Sequence, residues 1–281
     1  MKIDIGELAL EPAYMPEEKI ETEVNLLQEF EFKTNFSFLE AHRGFRRGEF
    51  HTFTGSKGAG KSTLCRSLIC EIMNENKNTL IYLSEETRNK YMLDVNVLFM
   101  RKQIHEALNN LIVLSEFDLK KESAEYFISI ITETIKQLDI DVFILDNFTT
   151  SFLSELQLQK QSWVLRQLRK MCSNLNIVCV LFFHTGKNVN TKRMDSDSIR
   201  GSATAVNLAS YSYAMHQHMN DEGDIFNYLF VDKSRYHRKA NKKYYKLLYE
   251  NRLNVYYGDQ DITKRDYENA TRDTKDDIFT K

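Results

Sequence analysis

Five short stretches carry side chains suited to phosphate chemistry: GSKGAGKST (55–63), LSEET (83–87), LDN (145–147), HTGK (184–187) and DKSR (232–235). The first fits the pattern G-x-x-x-x-G-K-[ST] through Gly55, Gly60, Lys61 and Ser62. Gly55, Gly58 and Gly60 let the backbone curl so that its N–H groups converge on an anion. A helix starting at Lys61 adds the positive end of its dipole to the same site. The stretch Gly55, Ser56, Lys57, Gly58, Ala59, Gly60, Lys61, Ser62 and Thr63 therefore reads as a cradle for a nucleoside triphosphate. In it Lys61 would reach the β- and γ-phosphates, and Ser62 would ligate Mg2+.

A metal held on phosphates needs a carboxylate nearby. Asp146 closes the apolar run VFILD, at the strand end where open α/β sheets bind ligands. It is the candidate for the Mg2+ shell, reached through water. Attack on the γ-phosphate also needs a group that orients water. Glu85 and Glu86 end the apolar run LIYLS, and either carboxylate can serve, with Glu85 the first choice.

These residues need a scaffold, and the chain offers one. Apolar runs at 50–54, 79–84, 111–115, 141–146, 177–184 and 228–233 read as strands, the first five continuous enough to be buried on both faces. Between them lie helical patterns at 61–75, 90–108, 121–138 and 158–173. Strand–helix alternation of this kind predicts an α/β fold, a mostly parallel twisted sheet with helices on both faces. Residues 1–35 hold both prolines and an amphipathic helix pattern at 17–30, which reads as an N-terminal extension. Residues 36–257 form the main domain, and the charged stretch 258–281 reads as a tail.

Composition narrows the class. Lys and Arg total 38 against 40 Asp and Glu, so the chain is not coated in positive charge, and any nucleic-acid contact must be local. No apolar run reaches membrane-span length and no secretory leader is visible. The four cysteines lack metal-ligand spacing and read as buried thiols of a reducing cytoplasm.

Taken in order, RGFRRGE (43–49), GSKGAGKST, LIYLSEET, VFILDNF, HTGK, IRGSATAVNLAS (199–210) and VDKSR (231–235) resemble the RecA/DnaB-like ATPases, and within them the hexameric replicative DNA helicases of the DnaB and phage primase-helicase type. The resemblance implies a RecA-like P-loop core over residues 36–257, with ATP and Mg2+ as cofactors. It implies Lys61, Glu85 and Asp146 as catalytic groups, with His184 as the γ-phosphate sensor. It places Lys187, Asn188, Lys192 and Arg193 in a loop that contacts single-stranded DNA, where a solvated surface loop is the competing view. It makes Lys233 and Arg235 a finger pair delivered into a neighbour's site. The partners implied are single-stranded DNA, further copies in a hexameric ring, and a primase, polymerase or loader of a replisome. A cytoplasmic location and a phage or mobile-element origin go with the compact size.

The chain departs from that family in lacking a separate N-terminal helical domain and any primase or zinc portion. Two other activities share the same motifs. One is a filament-forming recombinase or recombination mediator, and the other a regulatory or scaffolding ATPase whose nucleotide sets assembly.

Overall fold

The computed structural model describes residues 3–5, 8–10, 34–41, 44–119, 123–185, 203–237 and 240–271. The chain divides into a small unit, residues 1–31, and a large one, residues 32–281. In the small unit β1 (Ile3–Ile5) pairs antiparallel with β2 (Leu8–Leu10), Asp4 opposite Ala9. The helix expected at 17–30 lies outside the described residues.

In the large unit a short helix α1 (Ser37–Glu40) precedes the first long strand, β3 (Phe50–Gly55). Then follow α2 (Lys61–Asn74), β4 (Thr79–Leu83), α3 (Arg88–Arg101), β5 (Leu111–Ser115), α4 (Ala124–Gln137) and β6 (Val142–Asp146). The second half runs through α5 (Leu158–Asn174), β7 (Val178–His184), α6 (Ala203–Leu208) and β8 (Tyr211–Met219). It closes with β9 (Ile225–Ser234), β10 (Tyr244–Glu250), β11 (Val255–Ile262) and α7 (Lys264–Ala270). No helix among the described residues is long and apolar enough to cross a membrane.

The described strands of the large unit form one sheet in the order β11-β10-β9-β8-β3-β7-β6-β4-β5. From β8 through β5 every neighbour pair is parallel. From β8 to β11 the pairs are antiparallel. β4 and β6 are buried at every position, as parallel strands covered on both faces must be. Phe143 and Leu145 of β6 and Leu181 and Phe183 of β7 pack against Phe127, Ile131 and Ile135 of α4 and Val164, Leu165 and Leu168 of α5. The spacing of the α4 residues, four apart, is one helical face, and each such burial stabilises by about 1.5–3 kcal/mol. Ser123 caps α4 by accepting from Tyr126 N–H at 3.0 Å. All four cysteines are free and buried.

All six expected strands are present, and the four helices expected between them form. The third expected helical pattern stands as α4, while the second ends early, at Arg101, where Gln103 takes φ 60° and a 3-10 turn (His105–Asn110) replaces the helix. Three strands of the large sheet, β8, β10 and β11, escaped the sequence reading. β10 and β11 are antiparallel and β8 is parallel to β3 on one side only, and polar or charged residues interrupt all three, so no continuous apolar run marks them.

The tail expected at 258–281 needs correction as far as residue 271, and 272–281 lie outside the described residues. Residues 258–262 complete β11, paired to β10 with Gly258 opposite Leu248. Residues 264–270 form α7, which Thr263 and Asp266 hold in a reciprocal capping box. Asp259 accepts from Ser37 N–H at 2.6 Å, Ser37 Oγ–H at 2.8 Å and Phe38 N–H at 3.0 Å, closing the start of α1. A charged composition here reflects an edge strand with one wet face rather than a chain without structure.

Candidate nucleotide site

The phosphate loop joins β3 to α2, as its motif requires. Gly55, at the end of β3, lies so close to β8 that a Cβ there would meet Met215 O at 2.9 Å. Gly60 takes φ 81°, a left-handed conformation that side chains disfavour. A Cβ on it would also stand 2.1 Å from Tyr256 Oη of β11. Asn227 of β9 donates from Nδ2 to Ala59 O at 3.1 Å. The antiparallel half of the sheet thus buttresses the loop.

Lys61 is buried and folds back to donate to Gly55 O at 3.0 Å and Ser56 O at 2.8 Å. Burial pulls its ammonium down to about 8, against the opposing pull of Asp146 and Glu85. Asp146, at the end of β6, is buried as well, and burial pushes its carboxyl up to about 6 despite a hydrogen bond with Ser62 and the nearby Lys61 and Arg66 charges. A buried acid that resists ionisation is one a divalent cation would bind well, because the cation supplies the missing charge. Among the described residues no cluster of three or more His, Cys, Asp and Glu could hold a metal alone. Ser62 and Asp146 fit a Mg2+ ion that arrives on the nucleotide's own phosphates.

The two candidate bases divide cleanly. Glu86 accepts from Arg66 Nη2 at 3.2 Å, turned toward α2. Glu85 instead meets His184 and Asn147. His184 Nε2 lies 3.1 Å from Glu85 Oε1, and Asn147 Nδ2 donates to the same oxygen at 2.9 Å. The contact with His184 first, and those with Thr150 and Asn147 after it, hold the Glu85 carboxyl down at about 2, against a partial burial that would raise it. Glu85 is therefore ionised throughout the neutral range.

Lys233 and Arg235 lie elsewhere. Lys233 stands opposite Ser212 of β8, which stands opposite Thr52 of β3. Arg235 N–H donates to Ser210 O, and Ser210 N–H to Phe50 O, so Arg235 is level with the start of β3. At ~3.3 Å per residue, that is about 17 Å along the strand from Gly55, beyond the reach of an arginine side chain. In this chain Lys233 Nζ donates to Val206 O at 2.6 Å and Asn207 O at 3.1 Å, and Arg235 Nη2 to Asn207 O at 2.8 Å. Both cations therefore close the carbonyl end of α6.

Lys61, Ser62, Glu85, Asp146 and His184 come together at one end of the sheet; Lys233 and Arg235 do not join them. Lys187, Asn188, Lys192 and Arg193 lie outside the described residues. Sequence reasoning passed over Asn147, although it adjoins Asp146 in the quoted VFILDN. It passed over Arg66 too, which stands one helical turn from Ser62. Tyr256 and Asn227 left no local signal, because only the sheet order brings them to the loop.

Comparisons with known proteins bear on the fold and the family. Comparison with curated proteins finds no match. Among solved structures, a KaiC-like protein from the hyperthermophilic archaeon Pyrococcus horikoshii OT3 is similar, with a TM-score of 0.62 at 16% identity over 80% of this chain and 97% of that one. At that identity the likeness speaks for the fold, a RecA-type core. The family model for the KaiC ATPases matches residues 28–259. The match carries the ATPase and not the unwinding of DNA. With its phosphate loop, buried carboxylate and parallel sheet in place, the chain belongs to the KaiC family of ATPases.

Proposed function

We propose that the protein is a self-assembling, Mg2+-dependent ATPase whose nucleotide sites are completed between subunits. The observation that supports this reading is the register of β9, which sets Lys233 and Arg235 too far from their own phosphate loop to serve it. One subunit contributes Lys61, Ser62, Glu85 and Asp146, and its neighbour contributes Lys233 and Arg235. Bound Mg2+ would neutralise charge on the β- and γ-oxygens, held by Ser62 and Asp146. Lys61 leaves the carbonyls of Gly55 and Ser56 for phosphate oxygens. Glu85, ionised and outside the grip of Arg66, orients the attacking water. The neighbour's Arg235 stabilises charge on the transferring phosphoryl group, an effect worth roughly 10³–10⁵ in rate.

Mixing variants tests the arrangement. Lys61→Ala and Arg235→Ala subunits should each be nearly inactive alone. Mixed, they should regain ATP turnover, because some interfaces pair an intact Lys61 with an intact Arg235. No recovery in mixtures that still assemble would sink the reading.

A finer reading adds DNA. The polar segment 187–198 follows His184 in the chain after Thr185 and Gly186. As a hexameric ring, the protein would move along single-stranded DNA, with Lys187, Asn188, Lys192 and Arg193 holding phosphates without reading sequence. His184 would pass the state of the γ-phosphate to that segment. Turnover stimulated by single-stranded DNA, with unwinding of a forked duplex, is the expected result. Turnover indifferent to DNA supports a regulatory ATPase instead, and filaments coating the strand in electron micrographs support a recombinase.

A further inference from the structure

Asn147 is buried at the joint between three elements. Its Oδ1 accepts from Thr149 Oγ1 at 2.8 Å and from Thr150 N–H at 3.0 Å, which fixes the amide with its nitrogen pointing the other way. Its backbone N–H donates to Ser84 Oγ at 3.0 Å, and Ser84 Oγ donates to Asn147 O at 2.9 Å, so the end of β4 is tied to the end of β6. Thr149 Oγ1 in turn accepts from His184 N–H at 2.8 Å, which brings in the end of β7.

The outward nitrogen does the rest. Asn147 Nδ2 stands 2.9 Å from Glu85 Oε1 and 3.0 Å from His184 Nε2, while those two atoms stand 3.1 Å from each other. An amide nitrogen donates, and the acceptor it faces is the Glu85 carboxylate oxygen. His184 Nε2 carries the ring proton and donates to the same oxygen, since a bare Nε2 would set two acceptors 3.1 Å apart. Nδ1 is buried with no partner among the described residues, so the ring is oriented through Nε2 and its contact with Glu85.

We propose that Asn147 is the positioning residue that locks Glu85 to His184, so that the water-orienting carboxylate and the end of β7 move as one unit. The proposal rests on Glu85 as the group that orients water. Asn147 touches no substrate; it acts through Glu85. A displacement at the end of β7 then reaches the carboxylate through two paths, the His184 ring and the Thr149 hydroxyl.

The test uses an isosteric variant of the full chain. Asn147→Asp keeps the oxygen that accepts from Thr149 and Thr150 but places an acceptor where the donor to Glu85 stood. ATP turnover should fall about 10- to 100-fold, with the KM for ATP within about twofold, the split expected when an interaction serves only the chemical step. In a Glu85→Gln background the same change should cost less than about twofold further, since residues acting as a unit are not additive. An equal loss in both backgrounds would overturn the proposal, as would a KM effect without a kcat effect. Asn147→Ala repeats the cycle should the first variant fold poorly. If Glu85→Gln itself leaves turnover intact, the role of Glu85 fails rather than that of Asn147. The His184 ring 15N shifts then decide, since they should change between wild type and Asn147→Asp, and an unchanged ring would overturn the link.

Discussion

The most informative single residue is Asp146. Burial lifts its carboxyl to about 6 from the ordinary 3.8, so the folded chain holds that proton more tightly than the unfolded chain does. Stability without Mg2+ or nucleotide therefore falls as pH rises from about 4 to 6, and the cost is fully present above that window. Replacing Asp146 by Asn removes the cost. Thermal melts of the nucleotide-free protein should show Asp146→Asn stabilised at pH 7, by up to about 3 kcal/mol, and little different from wild type below pH 4. Turnover with Mg2+ and ATP should be lost in the same variant. A second contrast separates neighbouring acids. Glu85→Gln should lower kcat by about 10²–10⁴, the range of a lost acid–base group, whereas Glu86→Gln, a change to a side chain already held by Arg66, should lower it far less. The sequence offered both acids at the end of one strand without separating them. What separates them is the direction each side chain takes, set by Arg66 on one side and Asn147 on the other, and direction is not written in a local motif.

Among the elements, the phosphate loop was the most legible, since its spacing, its preceding strand and its following helix are all contiguous in sequence. Its support was not. Tyr256 and Asn227 come from β11 and β9, and the former lay within a point or two of what read as a domain boundary. Gly60→Ala tests the join. The variant must strain a left-handed backbone and push against the Tyr256 hydroxyl, at a combined cost of about 2–4 kcal/mol. Chemical denaturation should show that loss, and Tyr256→Phe in the same chain should recover part of it by removing the hydroxyl. Recovery of all of it would mean the backbone carries no strain, and recovery of none would mean the contact carries none.

At the scale of the whole molecule, the parallel half of the sheet was readable because buried strands are continuous apolar runs. Apart from β9, the antiparallel half was not, because the polar and charged residues that interrupt its strands look like loop and tail. The two halves nonetheless depend on each other. Ending the chain at Asn254 removes β11 and α7, the cap that Asp259 places on α1, and the Tyr256 contact. Such a protein should melt at least about 10 °C lower and bind ATP weakly, while a chain ending at Thr271 should keep both properties; calorimetry and nucleotide titration check the pair. The dependence also has an order in time. During synthesis Gly55 to Thr63 leave the ribosome early, but Tyr256 follows almost two hundred residues later. A growing chain thus carries a phosphate loop that has its motif and lacks its buttress, and it cannot hold a triphosphate in its final shape until the last strand of the sheet has been made.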